Sequence, residues 1–483
     1  MNHMMEKVKT KYGEVEGLDL GSCSAFLGIP FAAAPVGDHR FAPPEPCEAW
    51  EGVRACKEFA PACIQTVKKE TRQNTDRGKK QRFEGNVITN TSEDCLYLNI
   101  WTGAKSAGEK RAVMVWFYGG AFAGGATSEP EFDGRGLCEK GVIVVTAAYR
   151  CGALGFFAHP ALRREDSSGN WGLMDQLSAL RWVNENIGAF GGDPENVTIF
   201  GQSAGAMSCK FLLCSPLSKG LFRRAILQSG GGIVEADPCR SRDEMEALCV
   251  ESMKRLGWTT DDLMSRPAQE LSQALNDSAT DVIEGKELFL FQPCIDGRVL
   301  ASAPAESILN GSYSDTVDLL CGGVAGDAWM FSRKLRPKLR DHSELMQCFA
   351  PAAFLSWARN AVRLGKKPLY TYYFDRTVPR FHGAPHSSDL SYVFGTLSDE
   401  SYTEKDREYS ERLMRYWANF AKTGNPNGEG MPYWPPYSMD EPLTMHISDE
   451  EFECSDLSTD LLNKVIEYIL HNPGMAEDIA GLM

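Results

Sequence analysis

The sequence lacks several features that would assign it to a special class of protein. No stretch approaches the roughly 20 consecutive apolar residues of a membrane-spanning helix, and the first residues contain no apolar segment like that of a signal peptide. None of the 15 cysteines belongs to a C-x-x-C pair, and no internal repeat is present. These absences argue against a membrane span, a metal or redox motif and a repeat architecture. We therefore expect a cytoplasmic protein.

An excess of positive charge is also missing. The formal net charge is −15, and the acidic residues are spread along the chain rather than gathered in a tail. This charge disfavours nucleic acid and anionic membranes as partners and says little about a neutral small molecule. The 483 residues are 43% apolar and 24% charged, which is ordinary for a globular protein with a large core. The composition makes no prediction of the oligomeric state.

Short apolar runs alternate with segments of helical periodicity along most of the chain. Strands are predicted near residues 8–12, 24–27, 96–101, 112–117, 142–149, 197–200, 222–227, 316–321 and 443–447. Helices are predicted near residues 173–187, 206–213 and 404–422. Such alternation is typical of an α/β fold whose central, mostly parallel mixed sheet is flanked by helices. No linker divides the chain, so residues 1–483 are predicted to form a single domain.

Two segments interrupt this alternation. From about residue 240 to residue 310 the composition becomes helical, as in the stretch 242–256 that Gly257 ends. An insertion at this place suits a lid over a binding site, and a plain helical elaboration suits the pattern equally well. Between Cys63 and Cys95, the strongly charged stretch 68–82 predicts a long mobile loop.

The stretch around Ser203 is the most informative part of the chain. A predicted buried strand, 197–200, leads into Gly201-Gln202-Ser203-Ala204-Gly205, and residues 206–213 suit a helix. A strand that turns into a helix within one residue strains that residue, and the flanking glycines remove side chains that would clash. The pattern G-x-S-x-G alone arises by chance in long chains. The strand before it and the helix after it make Ser203 a candidate nucleophile.

A serine hydroxyl needs a general base, and the base needs an acid that orients it. After a strand–elbow–helix unit, the acid and then the histidine follow in chain order. Asp327 follows the predicted strand 317–321 and a glycine-rich stretch that is flexible enough to bring a carboxylate to the site. The alternative is that Asp327 only caps the helix beginning at Ala328.

Five histidines follow Ser203, and their surroundings differ. His382 and His386 share the loop 379–388, whose glycine and prolines suit a histidine presented from above a sheet. Loop chemistry alone leaves these two as equal alternatives. The other three have more ordinary surroundings: His342 in a charged helical stretch, His446 in a predicted strand, and His471 in the C-terminal tail.

A glycine-rich segment, 118–125, follows the predicted strand 112–117. The oxyanion of an acyl-transfer intermediate needs backbone amides that are already in place, and a loop in this position can supply them. A tight turn with no further role is the alternative interpretation.

Short motifs distributed along almost the whole chain occur in the same order in a known protein family. They are GIPF at 28–31, RFAPP at 40–44, EDCLYLN at 93–99, GNWGLMDQ at 169–176, FGGDP at 190–194, FGQSAG at 200–205, FRRAILQSG at 222–230, YVFG at 392–395 and WANFAKTGNPN at 417–427. In these motifs the chain resembles the type-B carboxylesterase family, and its pattern is most similar to that of the bacterial para-nitrobenzyl esterases. The family also includes mammalian carboxylesterases, cholinesterases and the non-catalytic neuroligins.

The resemblance implies an α/β-hydrolase that hydrolyses uncharged carboxylic esters through an acyl-enzyme on Ser203, with no metal or organic cofactor. His386 is selected over His382 because it stands nine residues before the glycine of the VFG motif. Asp327 aligns with the family's acid. The resemblance implies that the three oxyanion amides are those of Gly120, Ala121 and Ala204.

Several positions depart from the family pattern. Asp327 stands where most members have glutamate, and the neutral Gln202 stands where many have glutamate. The segment between Cys63 and Cys95 contains no tryptophan like the one that receives the choline cation in cholinesterases. The last two departures argue against a cationic ester. The two cysteines match a pair that is a disulfide in secreted relatives, and in the cytoplasm we expect them to be reduced.

Two other functions remain compatible with the sequence. One is a non-catalytic binding protein on the same fold, as in the neuroligins, because fold does not fix function. The other is a hydrolase of carbamates or amides that uses the same triad.

The glycosylation sequon at Asn196 leads into the core strand, so we interpret it as a chance match.

Overall fold

A computed structural model describes residues 5–65, 88, 90–163, 169–230, 232–233, 239–285, 287, 289–328, 343–379, 381–397 and 400–472. The strands in these residues are β1 Lys7–Lys9, β2 Glu14–Glu16, β3 Leu18–Asp19, β4 Ser24–Pro30, β5 Val53–Ala55, β6 Ala62–Cys63, β7 Thr91–Ser92, β8 Tyr97–Thr102, β9 Arg111–Phe117, β10 Ile143–Ala147, β11 Gly192–Gln202, β12 Arg224–Gln228, β13 Asp318–Val324, β14 Tyr370–Phe374, β15 Leu443–Ile447 and β16 Phe452–Asp456.

The helices of the same residues follow. They are α1 Arg135–Cys138, α2 Gly152–Phe156, α3 Trp171–Asn186, α4 Ala204–Cys214, α5 Arg242–Leu256, α6 Thr260–Ser265, α7 Ala268–Val282, α8 Pro304–Asn310, α9 Ser343–Arg363, α10 Leu390–Phe394, α11 Glu404–Thr423 and α12 Asp460–His471. No helix of the described residues is both long and apolar enough to span a membrane.

One large mixed sheet forms the centre of the molecule. Within the described residues it contains eleven strands in the order β16-β15-β14-β13-β12-β11-β9-β10-β8-β4-β3. Neighbouring strands are parallel from β15 to β10 and antiparallel towards both edges. The predicted α/β fold with a mostly parallel mixed sheet is therefore confirmed.

The sequence of the central strands explains their position. Every residue of β10 is buried, and so is every residue of β9 after Arg111. Successive side chains of a strand point to opposite faces of the sheet, so both faces are covered. Continuous apolar runs are the pattern expected of parallel strands between layers of helices.

Several predicted strand boundaries are wrong; for example, β4 continues to Pro30 rather than ending at residue 27, and β11 begins at Gly192 rather than at residue 197. The first strand ends at Lys9 rather than at residue 12, because both the backbone and the hydroxyl of Thr10 bond to Gly13 O and form a turn. The stretch after residue 321 was predicted to be flexible, but β13 continues to Val324. Its Gly322 lies so close to the next strand that an added Cβ atom would be 2.1 Å from Tyr372 O.

The region from about residue 240 to residue 310 is helical, as predicted, and contains α5 to α8. The N-terminus of α5 has a complete capping box between Ser241 and Glu244, which satisfies backbone N–H groups that otherwise lack partners. The predicted mobile loop at 68–82 lies outside the described residues.

Candidate active site

Ser203 lies at the junction of β11 and α4. Its backbone has φ 57° and ψ −126°, a conformation that costs energy for a residue with a side chain. The glycines on either side are required by close contacts. A Cβ atom added to Gly201 would lie 2.4 Å from Gly205 C, and one added to Gly205 would lie 1.9 Å from Phe117 O. The structure thus forms the sharp elbow that the G-x-S-x-G pattern predicts.

The glycine-rich segment 118–125 lies beside this elbow. A Cβ atom added to Gly119 would be 3.0 Å from the Cβ atom of Ser203. Ala121 and Phe122 have φ values of 57° and 58°. Among the described residues, the N–H groups of Gly120 and Ala121 have no hydrogen-bond acceptor. The N–H of Ala204 is the first of α4 and has no partner within the helix. Within the described residues, these three amides therefore have hydrogen-bonding capacity that the protein does not use.

The acid and the histidine meet next to the same elbow. His386 Nδ1 lies 2.5 Å from Asp327 Oδ1, and both side chains are almost fully buried. The other carboxylate oxygen, Oδ2, accepts a hydrogen bond of 3.0 Å from Val324 N. An acceptor at Nδ1 keeps the proton there and leaves the lone pair of Nε2 available as a base.

The other candidate histidines are placed differently. His382 is exposed, His446 bonds to Glu451, and His471 bonds to Glu467 O. His342 lies outside the described residues. Of the histidines that the structure describes after Ser203, His386 is the one that contacts Asp327.

Sequence reasoning did not predict a contact of Gln202 with the imidazole. Gln202 Nε2 lies 3.1 Å from His386 Nε2, where it donates to the lone pair that a base would use. Among the described residues, Ser203 Oγ has no hydrogen bond to this nitrogen. Hydrogen bonds of this kind often form only in the complex with substrate. The neutral residue at 202 was the available signal, but its partner is 184 positions away in the chain.

A second buried carboxyl near the imidazole was also missed. Asp389 accepts hydrogen bonds from Tyr372 Oη at 2.7 Å and Gln228 Nε2 at 3.0 Å. Its Oδ1 atom is buried without a partner among the described residues. Burial raises the pKa of this carboxyl, and the nearby Asp327 raises it further.

The sequence matches a known protein family over almost its whole length. The model of the carboxylesterase family matches residues 5–363 and 342–462. The chain belongs to the carboxylesterase family. Together with the esterases among its relatives, this membership supports a carboxylic ester hydrolase with the α/β-hydrolase fold, as the sequence motifs predicted.

Individual relatives support the same assignment. Fumonisin B1 esterase from Sphingopyxis macrogoltabida is 35% identical over 480 residues, which cover 88% of this chain and 83% of the relative. Para-nitrobenzyl esterase from Bacillus subtilis (strain 168) is 33% identical over 491 residues, which cover 93% of this chain and 96% of the relative. The predicted similarity to para-nitrobenzyl esterases is confirmed.

Solved structures of the family are similar over nearly the whole chain. A PNB esterase structure has a TM-score of 0.78 and 32% identity, and the match covers 95% of this chain and 99% of that one. A carboxylesterase from Geobacillus stearothermophilus has a TM-score of 0.75 and 30% identity over 95% of this chain and 100% of its own.

All 15 cysteines are free thiols, including Cys63 and Cys95. The Sγ atom of Cys63 lies 3.9 Å from the backbone oxygen of Cys95. Burial raises the pKa of the Cys63 thiol well above its ordinary value. In the described part of the chain, no group of three or more His, Cys, Asp or Glu side chains could hold a metal ion.

Proposed function

We propose that the protein is a serine esterase whose nucleophile, base and acid are Ser203, His386 and Asp327. The observation that carries this proposal is the Asp327–His386 hydrogen bond of 2.5 Å directly beside the strained serine elbow. The proposed oxyanion hole consists of the N–H groups of Gly120, Ala121 and Ala204. Their lack of protein acceptors supports this role.

Each step of the reaction has a group to perform it. His386 Nε2 leaves Gln202, takes the proton of Ser203 Oγ as the oxygen attacks the ester carbonyl, and returns it to the leaving alcohol. In deacylation the same nitrogen activates water, and Ser203 is restored. Asp327 holds the imidazole through Nδ1 and stabilises its cation. The backbone amides receive the negative oxygen of each tetrahedral intermediate.

We also propose that the substrates are uncharged esters. The side chain next to the nucleophile is the neutral Gln202, so no carboxylate is placed there to attract a cation. Acetylcholinesterase from Bungarus fasciatus is a relative with 34% identity, but the segment between Cys63 and Cys95 contains no tryptophan.

The helices α5 to α8 are proposed to form a lid within a single catalytic domain. Two contacts hold these helices against the rest of the domain. Gln269 of α7 donates a hydrogen bond of 2.9 Å to Gln65 O. Arg40 Nη1 donates to three backbone oxygens, those of Leu263 and Met264 in α6 and of Arg266 after it. We also propose a cytoplasmic location, in which the thiols of Cys63 and Cys95 stay reduced.

The first test is turnover of a para-nitrophenyl acyl ester by the wild type and by Ser203→Ala. We expect the variant to lose several orders of magnitude in kcat, because the remaining groups form no covalent intermediate. A fluorophosphonate probe should label the wild type once and the variant not at all. Ser208→Ala is the control, since it removes another buried hydroxyl of α4 and should leave labelling intact.

Other outcomes would favour the competing functions. Labelling without turnover of any ester in a panel of acyl lengths would favour carbamates or amides as substrates. Neither labelling nor turnover in either protein would refute the proposed esterase and favour a binding role.

The charge preference has its own test. A thiocholine ester and the matching 3,3-dimethylbutyl thioester have the same shape and differ in one positive charge. We expect the wild type to prefer the uncharged ester in kcat/KM, and Gln202→Glu to shift the ratio at least about fivefold towards the cation, since one nearby charge contributes on the order of 1 kcal/mol. A wild type that prefers the thiocholine ester would contradict the proposal.

A further inference from the structure

Gln65 connects two segments that are distant in the sequence. Its Nε2 atom donates a hydrogen bond of 3.0 Å to Gly125 O, and its Oε1 atom accepts one of 3.0 Å from Gly125 N. Nε2 also donates to Cys63 O at 3.1 Å. Both Nε2 protons are therefore used. If Oε1 and Nε2 changed places, two oxygen atoms and two N–H groups would face each other at Gly125, so the orientation of the amide is fixed.

Gly125 ends the glycine-rich segment that carries two of the proposed oxyanion amides. Two consecutive residues of this segment, Ala121 and Phe122, have left-handed φ values. Such conformations cost about 1 to 3 kcal/mol each and persist only where surrounding contacts enforce them. The conformation of the segment thus depends on the contacts that hold its ends.

Several contacts among the described residues hold the segment at its start and middle. Tyr118 O accepts a hydrogen bond of 2.8 Å from Tyr149 Oη, and the Phe122 ring packs on three other phenylalanines. Gly152 N donates to Phe122 O at 2.6 Å, and Ala123 N donates to Gly120 O at 3.0 Å. The Gln65 side chain supplies the pair of bonds at the far end. It also packs against Gly124, where an added Cβ atom would lie 2.4 Å from Gln65 Oε1. The side chain of Gln65 is buried, so water does not readily replace these bonds.

We infer that Gln65 is a positioning residue that holds the 118–125 segment in the conformation able to bind the oxyanion. It acts through Gly125, and among the described residues its side chain makes no hydrogen bond to Ser203, His386 or Asp327. Since its effect is exerted on the transition state, it should appear in kcat and much less in KM. The inference rests on the proposed esterase function.

The main test compares Gln65→Glu with Gln65→Met. A protonated glutamic acid can reproduce both bonds to Gly125, whereas an ionised one has no proton to donate and faces the carbonyl oxygen with negative charge. We therefore expect the ratio of kcat/KM for Gln65→Glu to that of the wild type to be highest near pH 5 and to fall as the pH rises to 8. Expressing the result as a ratio to the wild type removes the pH dependence that the two enzymes share.

Gln65→Met has nearly the same size and no titratable group. Its kcat should fall about 10- to 100-fold, the scale expected for a displacement of about 1 Å at a reacting centre, with KM changed less than twofold. The ratio of its kcat/KM to that of the wild type should not depend on pH. A trifluoromethyl ketone, which forms a tetrahedral adduct with an oxyanion, should lose affinity by the same factor as kcat/KM.

Gln176→Met is the matched control. Gln176 is another buried glutamine, and its Nε2 donates a hydrogen bond of 2.9 Å to Ser208 Oγ, so this substitution leaves both bonds of Gln65 to Gly125 in place. Its kcat should stay within about threefold of the wild type. A purely structural role for Gln65 would lower the Tm of both Gln65 variants while leaving kcat and ketone affinity unchanged.

The outcomes separate this inference from the proposed function. An active wild type with unaffected Gln65 variants, or with equal and pH-independent losses in both, would overturn the inference alone. A wild type without esterase activity would overturn both proposals.

Discussion

At the scale of single residues, two buried carboxyls lie near the imidazole of His386. Asp327 Oδ1 bonds to Nδ1 directly, whereas Asp389 is held by Tyr372 and Gln228. Asp327→Asn should lower kcat by about 10³- to 10⁴-fold, because an amide supports the wrong tautomer and does not stabilise the imidazolium. Steady-state kinetics with an unchanged KM would check this.

Asp389→Asn is the matched control for that substitution. It removes a buried carboxyl from the same pocket without removing a bond to the imidazole, so the loss of kcat should be less than about tenfold. Equal losses in the two variants would contradict the assignment of Asp327 as the orienting acid.

The site residues that the sequence predicts are those that belong to a local motif or that follow one another in a fixed order along the chain. The elbow around Ser203 and the order of serine, acid and histidine belong to this group. The contacts of Gln202 with His386 and of Gln65 with Gly125 join residues 184 and 60 positions apart. No local pattern encodes such pairs, because they arise only when the sheet is assembled.

At the scale of elements, the elbow depends on how closely α4 approaches β9. Gly205→Ala would place a Cβ atom 1.9 Å from Phe117 O, a distance that forces the helix or the strand to move. We expect a loss of 1 to 3 kcal/mol or more, roughly the range for overpacked cores, and weaker fluorophosphonate labelling of Ser203. Thermal unfolding and labelling rates would measure both effects.

Gly188→Ala tests the same chemistry where space is available. No atom lies within 4 Å of its added Cβ atom, and its φ is ordinary. The Tm should be unchanged or slightly higher, because alanine restricts the unfolded chain. A similar loss in both variants would show that glycine content, and not the approach of α4 to β9, determines the stability of this region.

Element boundaries were less predictable than element types. The glycines after residue 321 suggested a loop, but Gly322 and Gly323 pair with Tyr372 and Tyr373 inside the sheet. Glycine marks both flexible loops and places where backbones approach closely. The sequence alone does not distinguish these two uses.

At the scale of the whole molecule, Asp406 connects three elements. It lies in the first turn of α11 and bonds to Arg376, which follows strand β14, and to Tyr392 of α10. It accepts hydrogen bonds of 2.6 Å from both Arg376 Nε and Tyr392 Oη, and bonds of 2.7 and 2.6 Å from the N–H and hydroxyl of Thr403. Burial alone would raise the pKa of this carboxyl, but the donors outweigh burial and lower its pKa to about 2.

This depressed pKa predicts how the stability of the fold depends on pH. The folded-state pKa of Asp406 lies below the unfolded value of about 3.9. The ionised carboxylate therefore contributes its full stabilisation above that value, and the contribution is lost as the pH falls towards 2. Asp406→Asn should lower the stability by about 3 kcal/mol at pH 7. The difference should narrow by about 1 to 2 kcal/mol as the pH falls from 5 towards 2.

Thermal unfolding of the wild type and Asp406→Asn across this pH range measures the difference, and Asp449→Asn is the control. Asp449 is the other carboxylate at Arg376, but it is half exposed and lies 3.4 Å away, so its loss should cost less than about 1 kcal/mol at any pH. A difference in Tm that disappears at low pH is expected only if the carboxylate of Asp406 is buried and ionised. A difference that stays constant from pH 7 to pH 3 would instead assign the effect of Asp406 to packing and neutral hydrogen bonds.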